Sequence, residues 1–182
     1  YFNSNFKKSN TMRNFILLLL ATSIFQLNAQ NAKFTLPEKE GDKLQGQWIV
    51  LDVKGTPKEN YDKVINYVNK TYNTPSEVLK SQIDGEYIRI EGISDLFKNG
   101  GVPISTIHTL EFNFKQDRIK LTVLNLEVQN GAGSWNVADF CTYAETHNKK
   151  GKQKSAKYKY ATRVTSGLND LAEQIKLADD DW

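Results

Sequence analysis

Residues 78–93 read VLKSQIDGEYIRIEGI, two alternating apolar runs divided by Asp84-Gly85. An Asp-Gly pair supplies the positive φ angles of a two-residue hairpin turn. With that turn Ile83 pairs with Glu86, Ser81 with Ile88 and Leu79 with Ile90. This register gathers Leu79, Ile83, Ile88 and Ile90 on one face and leaves Lys80, Gln82, Tyr87, Arg89 and Glu91 on the other. A slip of one residue would scramble both faces. A hairpin with one apolar face needs a second layer to cover it, so the flanking sequence decides the fold class.

Downstream, beyond the glycine loop Gly100-Gly101, STIHTLEFNF (105–114) places His108, Leu110, Phe112 and Phe114 on one face. RIKLTVLNLEV (118–128) returns with Ile119, Leu121 and Val123 on the matching face, across a turn near Gln116-Asp117. The apolar parity then switches to Leu124, Leu126 and Val128; a bulge or twist near 123–124 would produce that. Upstream, QWIVLDV (47–53) reads as a buried strand, rich in β-branched and aromatic residues. Thr56-Pro57-Lys58-Glu59 is a capping box with proline at the first helical position. Tyr61, Val64, Ile65, Val68 and Tyr72 follow at helical spacing, and Asn73-Thr74-Pro75 ends the helix.

The C-terminal third is less patterned. NGAGSW (130–135) reads as a loop, DFCTYAETHN (139–148) as a short helix or an edge strand, and HNKKGKQKSAKYKYATR (147–163) as an exposed basic loop. An amphipathic helix from about Thr165 to Asp179 follows, with Val164, Leu168, Leu171, Ile175 and Ala178 on its apolar stripe. The tail Asp179-Asp180-Asp181-Trp182 is expected just past the helix, since carboxylates oppose the macrodipole there. An antiparallel sheet with one apolar face and two striped helices to cover it makes a two-layer α+β domain over 47–182. Residues 30–46, broken by Pro37, Gly41 and Gly46, suit a linker or loosely held N-terminal segment.

At the other end, MRNFILLLLATSIFQLNAQ (12–30) has a basic start, an apolar run from Phe15 to Leu27 and a small residue, Ala29. A bilayer-spanning helix needs about 20 apolar residues, more than this run holds, so 12–29 reads as a cleaved signal peptide and not as an anchor. Residues 1–11 read as upstream leader or appended residues. The whole chain has 24 Lys plus Arg against 21 Asp plus Glu. Lys7, Lys8 and Arg13 leave with the leader and take no acid with them, so the expected mature chain is electrically balanced. Bulk charge then gives no reason to expect nucleic acid as a partner. The location expected is periplasmic or extracellular, with no transmembrane anchor in the mature form.

These features together, the leader, the strand QWIVLDV running into GTPKENYDKVINYVNKTY, the hairpins VLKSQIDGEYIRIEG and LEFNFKQDRIKL, and a final helix ending DDDW, resemble a bacterial exported family. Its domain is of unknown function, with a fold like that of the TATA-box-binding protein (TBP). The resemblance covers roughly residues 44–128 and, more loosely, the last helix. It implies a curved antiparallel sheet holding helices, and it implies no activity.

Chemistry-bearing residues are few. Asp139, Cys141, Glu145 and His147 cluster in sequence, but no signature supplies the base, orienting group and oxyanion donors that nucleophilic catalysis needs. One Cys with one His is thin for zinc, so Cys141 is expected as a buried small hydrophobe. His108 lies on an apolar strand face, opposite Asn125 in the expected register, and reads as a neutral core histidine or as a polar point in a ligand pocket. Lys149, Lys150, Lys152, Lys154, Lys157, Tyr158, Lys159 and Tyr160 form a basic, tyrosine-interleaved run, read as a solvated segment or an electrostatic contact. No P-loop, GxGxxG, GxSxG, HExxH or calcium-loop pattern occurs, and no cofactor or metal is expected. The sequence therefore suggests an exported, non-enzymatic domain that binds an envelope protein, a glycan or a small ligand. Two other readings are an enzyme using Cys141 and His147, and a structural subunit assembling through its sheet edges.

Overall fold

The computed structural model describes residues 33–99, 102–130, 133–136 and 141–178. The expected signal peptide (12–29), the glycine loop, Asp139 and the acidic tail lie outside the described residues. In chain order the elements are β1 (Trp48–Asp52), α1 (Pro57–Thr71), the single turn α2 (Pro75–Val78), β2 (Leu79–Ile83), β3 (Tyr87–Asn99), β4 (Val102–Lys115), β5 (Arg118–Asn130), β6 (Gly133–Asn136), the single turn α3 (Tyr143–Thr146) and α4 (Ser155–Lys176). Among the described residues the strands form one antiparallel sheet in the order β1-β5-β4-β3-β2, with β6 beside β1 on the outer edge of β5. The sheet is curved, α1 packs over β4 and β5, and α4 over β3. This is the two-layer α+β architecture that the residue pattern implies.

Local chemistry explains the first helix fully. The Thr56 hydroxyl accepts from the Glu59 amide at 3.2 Å and the Glu59 carboxylate accepts from the Thr56 amide at 2.6 Å, closing the capping box. Tyr61, Val64, Tyr67 and Val68 turn inward, and Ile65 packs at the edge of the core. The inward side also carries Asn60, whose amide donates to Val53 O, Gly55 O and Lys115 O, pinning the end of β1 to the β4–β5 turn. That turn is Gln116-Asp117, closed by the Lys115–Arg118 pair.

The bulge expected near 123–124 is present. Thr109 pairs with Asn125 but Leu110 pairs with Val123, so Leu124 is the extra residue and Leu126 returns to the core face. His108 therefore faces Leu126 across the ladder, not Asn125. Asn125 instead bonds Glu127 at 3.0 Å and takes a long contact from Gln45 at 3.5 Å.

The first hairpin departs from expectation at its turn. Ile83 pairs with Tyr87, leaving Asp84, Gly85 and Glu86 in the loop, with Glu86 N–H donating to Ile83 O at 3.0 Å. A two-residue type I′ turn needs positive φ at both central residues, whereas here Gly85 (φ 71°) has it and Asp84 does not. An irregularity between Leu79 and Ser81 restores the expected Leu79–Ile90 pair. The outcome is that Ile88 and Ile90 are buried as expected while Ile83 is 56% exposed.

Three further corrections concern segments read as loose. Residues 33–46 are anchored at points: Phe34, Pro37 and Leu44 are buried, Leu44 N–H donates to Cys141 O and Gly46 N–H to Val123 O. Asn169 clasps the Phe34 backbone with both ends of its amide, at 2.9 and 3.2 Å. The stretch KYKY is helix and not loop, because α4 begins at Ser155, ahead of the expected Thr165. Its inward stripe then runs from Ala161 through Val164, Leu168 and Leu171 to Ile175. Of the stretch 130–135, read as a loop, residues 133–135 belong to the short strand Gly133–Asn136, which pairs with β5.

Candidate functional site

The space between sheet and helices is filled by side chains. Ile49, Leu51, Ile88, Ile90, Leu110, Phe112, Leu121 and Leu126 from the strands meet Val64, Val68, Leu168 and Ile175 from the helices, all essentially sealed from solvent. His108 belongs to this interior. It accepts the Tyr72 hydroxyl proton at Nε2 (2.6 Å), and its Nδ1–H donates to Thr106 O at 3.3 Å, which fixes the neutral tautomer. Burial pushes its pKa down to about 4, against a small opposing pull from the Thr106 carbonyl. The Tyr72 ring reaches His108 by lying over Gly92, the residue opposite His108 on β3. A β-carbon on Gly92 would sit 2.5 Å from that ring. His108 is thus a satisfied core histidine.

Cys141 is also interior, and burial pushes its thiol up to about 12. A nucleophilic cysteine reacts as thiolate, so this environment opposes that role. The other members of the sequence cluster point elsewhere. Glu145 ion-pairs with Lys157, which holds its carboxyl below the usual range. His147 stacks on Tyr143 (ring centroids 4.2 Å, 14°), meets Tyr158 edge-on at 5.8 Å, and contacts Thr146 Oγ1 through Nδ1 at 3.0 Å.

His147 leads instead to an open surface groove of about 620 Å³ between the extended residues 34–38 and α4. Phe34, Leu36 and Pro37 form one wall, and His147, Tyr158, Thr162 and Ser166 form the other. Gln153 also lines the groove, and its backbone pairs with that of His147 in an isolated bridge. Among the described residues the Tyr158 hydroxyl, His147 Nε2, the Gln153 amide and the Ser166 hydroxyl have no protein partner, and they supply donors and acceptors to the groove. Glu38 is the one ionisable carboxylate in the lining. A second hollow of about 430 Å³ lies where α1 ends against β3, lined by Tyr72, Lys80, Glu91 and Ile93.

The basic run divides by partner. Lys154 donates to Ala144 O at 2.9 Å and Lys157 bonds Glu145, so these two brace α3 against α4. Tyr160 leans on the core and burial lifts its phenol to about 12, while Lys159 is exposed. Lys149, Lys150 and Lys152 stand exposed on the tight turn that joins His147 to Gln153. The groove could not be read from the sequence because its walls lie more than a hundred positions apart. His147 was visible there only beside a cysteine that it does not serve.

Comparison with known proteins adds the fold. A TBP-like protein from Parabacteroides distasonis superposes with a TM-score of 0.54 over 79% of this chain and 96% of that one, at 8% identity. The fold is TBP-like. A DUF4468 family protein from Bacteroides ovatus superposes with a TM-score of 0.53 over 79% of this chain and 86% of its own, at 11% identity. No protein-family model matches the sequence, and no curated protein does. A shared TBP-like fold at such identities says nothing of what the groove holds. No helix among the described residues is long and apolar enough to cross a membrane.

Proposed function

We propose that this protein is an exported, non-enzymatic binding domain of the cell envelope. Its ligand or partner is taken on the outside of the fold, in the groove between residues 34–38 and α4. The observation that carries the reading is the lining. Unpaired polar groups of His147, Gln153, Tyr158 and Ser166 stand opposite the apolar wall of Phe34 and Leu36, the mixture of shape and sparse polar anchors that ligand sites use. Export rests on the leader with its short apolar run and Ala29. The competing enzyme reading needs a thiolate at Cys141, which burial opposes.

Ser166→Trp tests the site, because Ser166 is exposed on α4 and a bulky ring there fills the groove without entering the core. Immobilised wild-type protein is expected to retain a component of cell-envelope extract that the variant releases. Equal retention by both proteins, or retention of nothing by either, refutes the proposal.

A further inference from the structure

The five residues 148–152 are a built turn, not a slack loop. Asn148 N–H donates to Lys152 O and Gly151 N–H to Asn148 O, both at 2.8 Å. The Asn148 side chain accepts from the amides of Lys150 (2.9 Å) and Lys152 (3.0 Å). Three lysine stems therefore start from fixed backbone, and among the described residues no carboxylate pairs with any of them. They stand exposed and place three positive charges on one short turn. The turn springs from His147 and Gln153, both of which line the groove.

We infer that groove and turn are one site for an acidic polysaccharide, an inference that rests on the groove being the binding site. A sugar ring lies in the groove, its C–H faces on the aromatic and apolar walls and its hydroxyls on Tyr158, Gln153, Ser166 and His147 Nε2. Carboxylates carried by the chain reach Lys149, Lys150 and Lys152. Uncharged donors and acceptors facing an apolar wall suit a hydroxylated ring, whose hydroxyls can also donate to the Glu38 carboxylate in the lining. Point-charge ammonium groups suit spaced carboxylates, where phosphate recognition favours the bidentate arginine fork. A lipid surface would call for apolar side chains beside the lysines, but the turn is polar and the exposed large apolar residues Trp48, Ile83, Ile93 and Leu177 lie elsewhere.

The test is calorimetric titration of the protein with a galacturonic acid hexamer, its neutral methyl ester, and hexaglutamate. The acidic sugar is expected to bind best. The triple change Lys149→Ala, Lys150→Ala, Lys152→Ala should weaken it about tenfold, the size three exposed ion pairs give together. Ser166→Trp should abolish binding of the acid and of the ester alike. Acidic-sugar affinity that survives Ser166→Trp, or hexaglutamate binding as tightly as the sugar, overturns the inference as mere charge attraction. No sugar binding, with an envelope component still lost on Ser166→Trp, overturns the ligand class and leaves the groove standing; loss of both signals refutes the two readings together.

Discussion

Acid should unfold this domain through His108. In the folded protein the imidazole is sealed from solvent, accepts from Tyr72 and resists protonation down to about 4, whereas the unfolded chain protonates it near 6.5. Its folded pKa is depressed, so the unfolded state binds the extra proton between those values. The contribution to stability is complete above about pH 6.5, fades as pH falls, and is lost below about pH 4. A difference of about 2.5 units at 1.36 kcal/mol each makes the full loss about 3 kcal/mol. Urea unfolding at pH 7, 6, 5 and 4 should show this loss in the wild type. His108→Gln, which keeps an acceptor for Tyr72 and cannot titrate, should lose about 3 kcal/mol less over the same span. Parallel pH profiles for the two proteins would refute the reasoning.

Gly92→Ala should cost about 1–3 kcal/mol, as overpacking does, because the new methyl displaces the Tyr72 ring from His108; in the Tyr72→Leu background the same change should cost clearly less by urea titration. Cys141 should react with a thiol reagent only at the rate of unfolding, and rapid native labelling would contradict its burial and its thiol raised to about 12. Protein recovered from the cells that make it should begin at Gln30 on N-terminal sequencing; a chain still carrying Phe15–Leu27 would sink the export proposal.

What could be read in advance divides by range of interaction. The Thr56–Glu59 box, the α1 stripe and the parity switch after Val123 are local signals, and each appears in the fold as expected. Ile83 went astray because the turn around Gly85 takes a third residue, a choice made by one backbone angle at Asp84. The start of α4 was hidden for another reason. Lys154 caps it without a side-chain bond, and Lys-Tyr-Lys-Tyr imitates a strand until Ala161 and Val164 reveal the helical stripe. His108 and Cys141 stood out as chemistry but serve the interior. The residues that build the groove, Phe34 and Leu36 with Tyr158 and Ser166, carry no joint pattern along the chain, since only folding brings them side by side.

The clasp of Asn169 on Phe34 spans 135 positions. Synthesis runs from Phe34 toward Asn169, so the Phe34 end of the first segment lacks this clasp until nearly the whole domain has been made. A nascent chain therefore stays unlatched at Phe34 until its last helix has been made. The recess beside the clasp comes into being only as the last long helix arrives, so a chain that still lacks that helix has no groove.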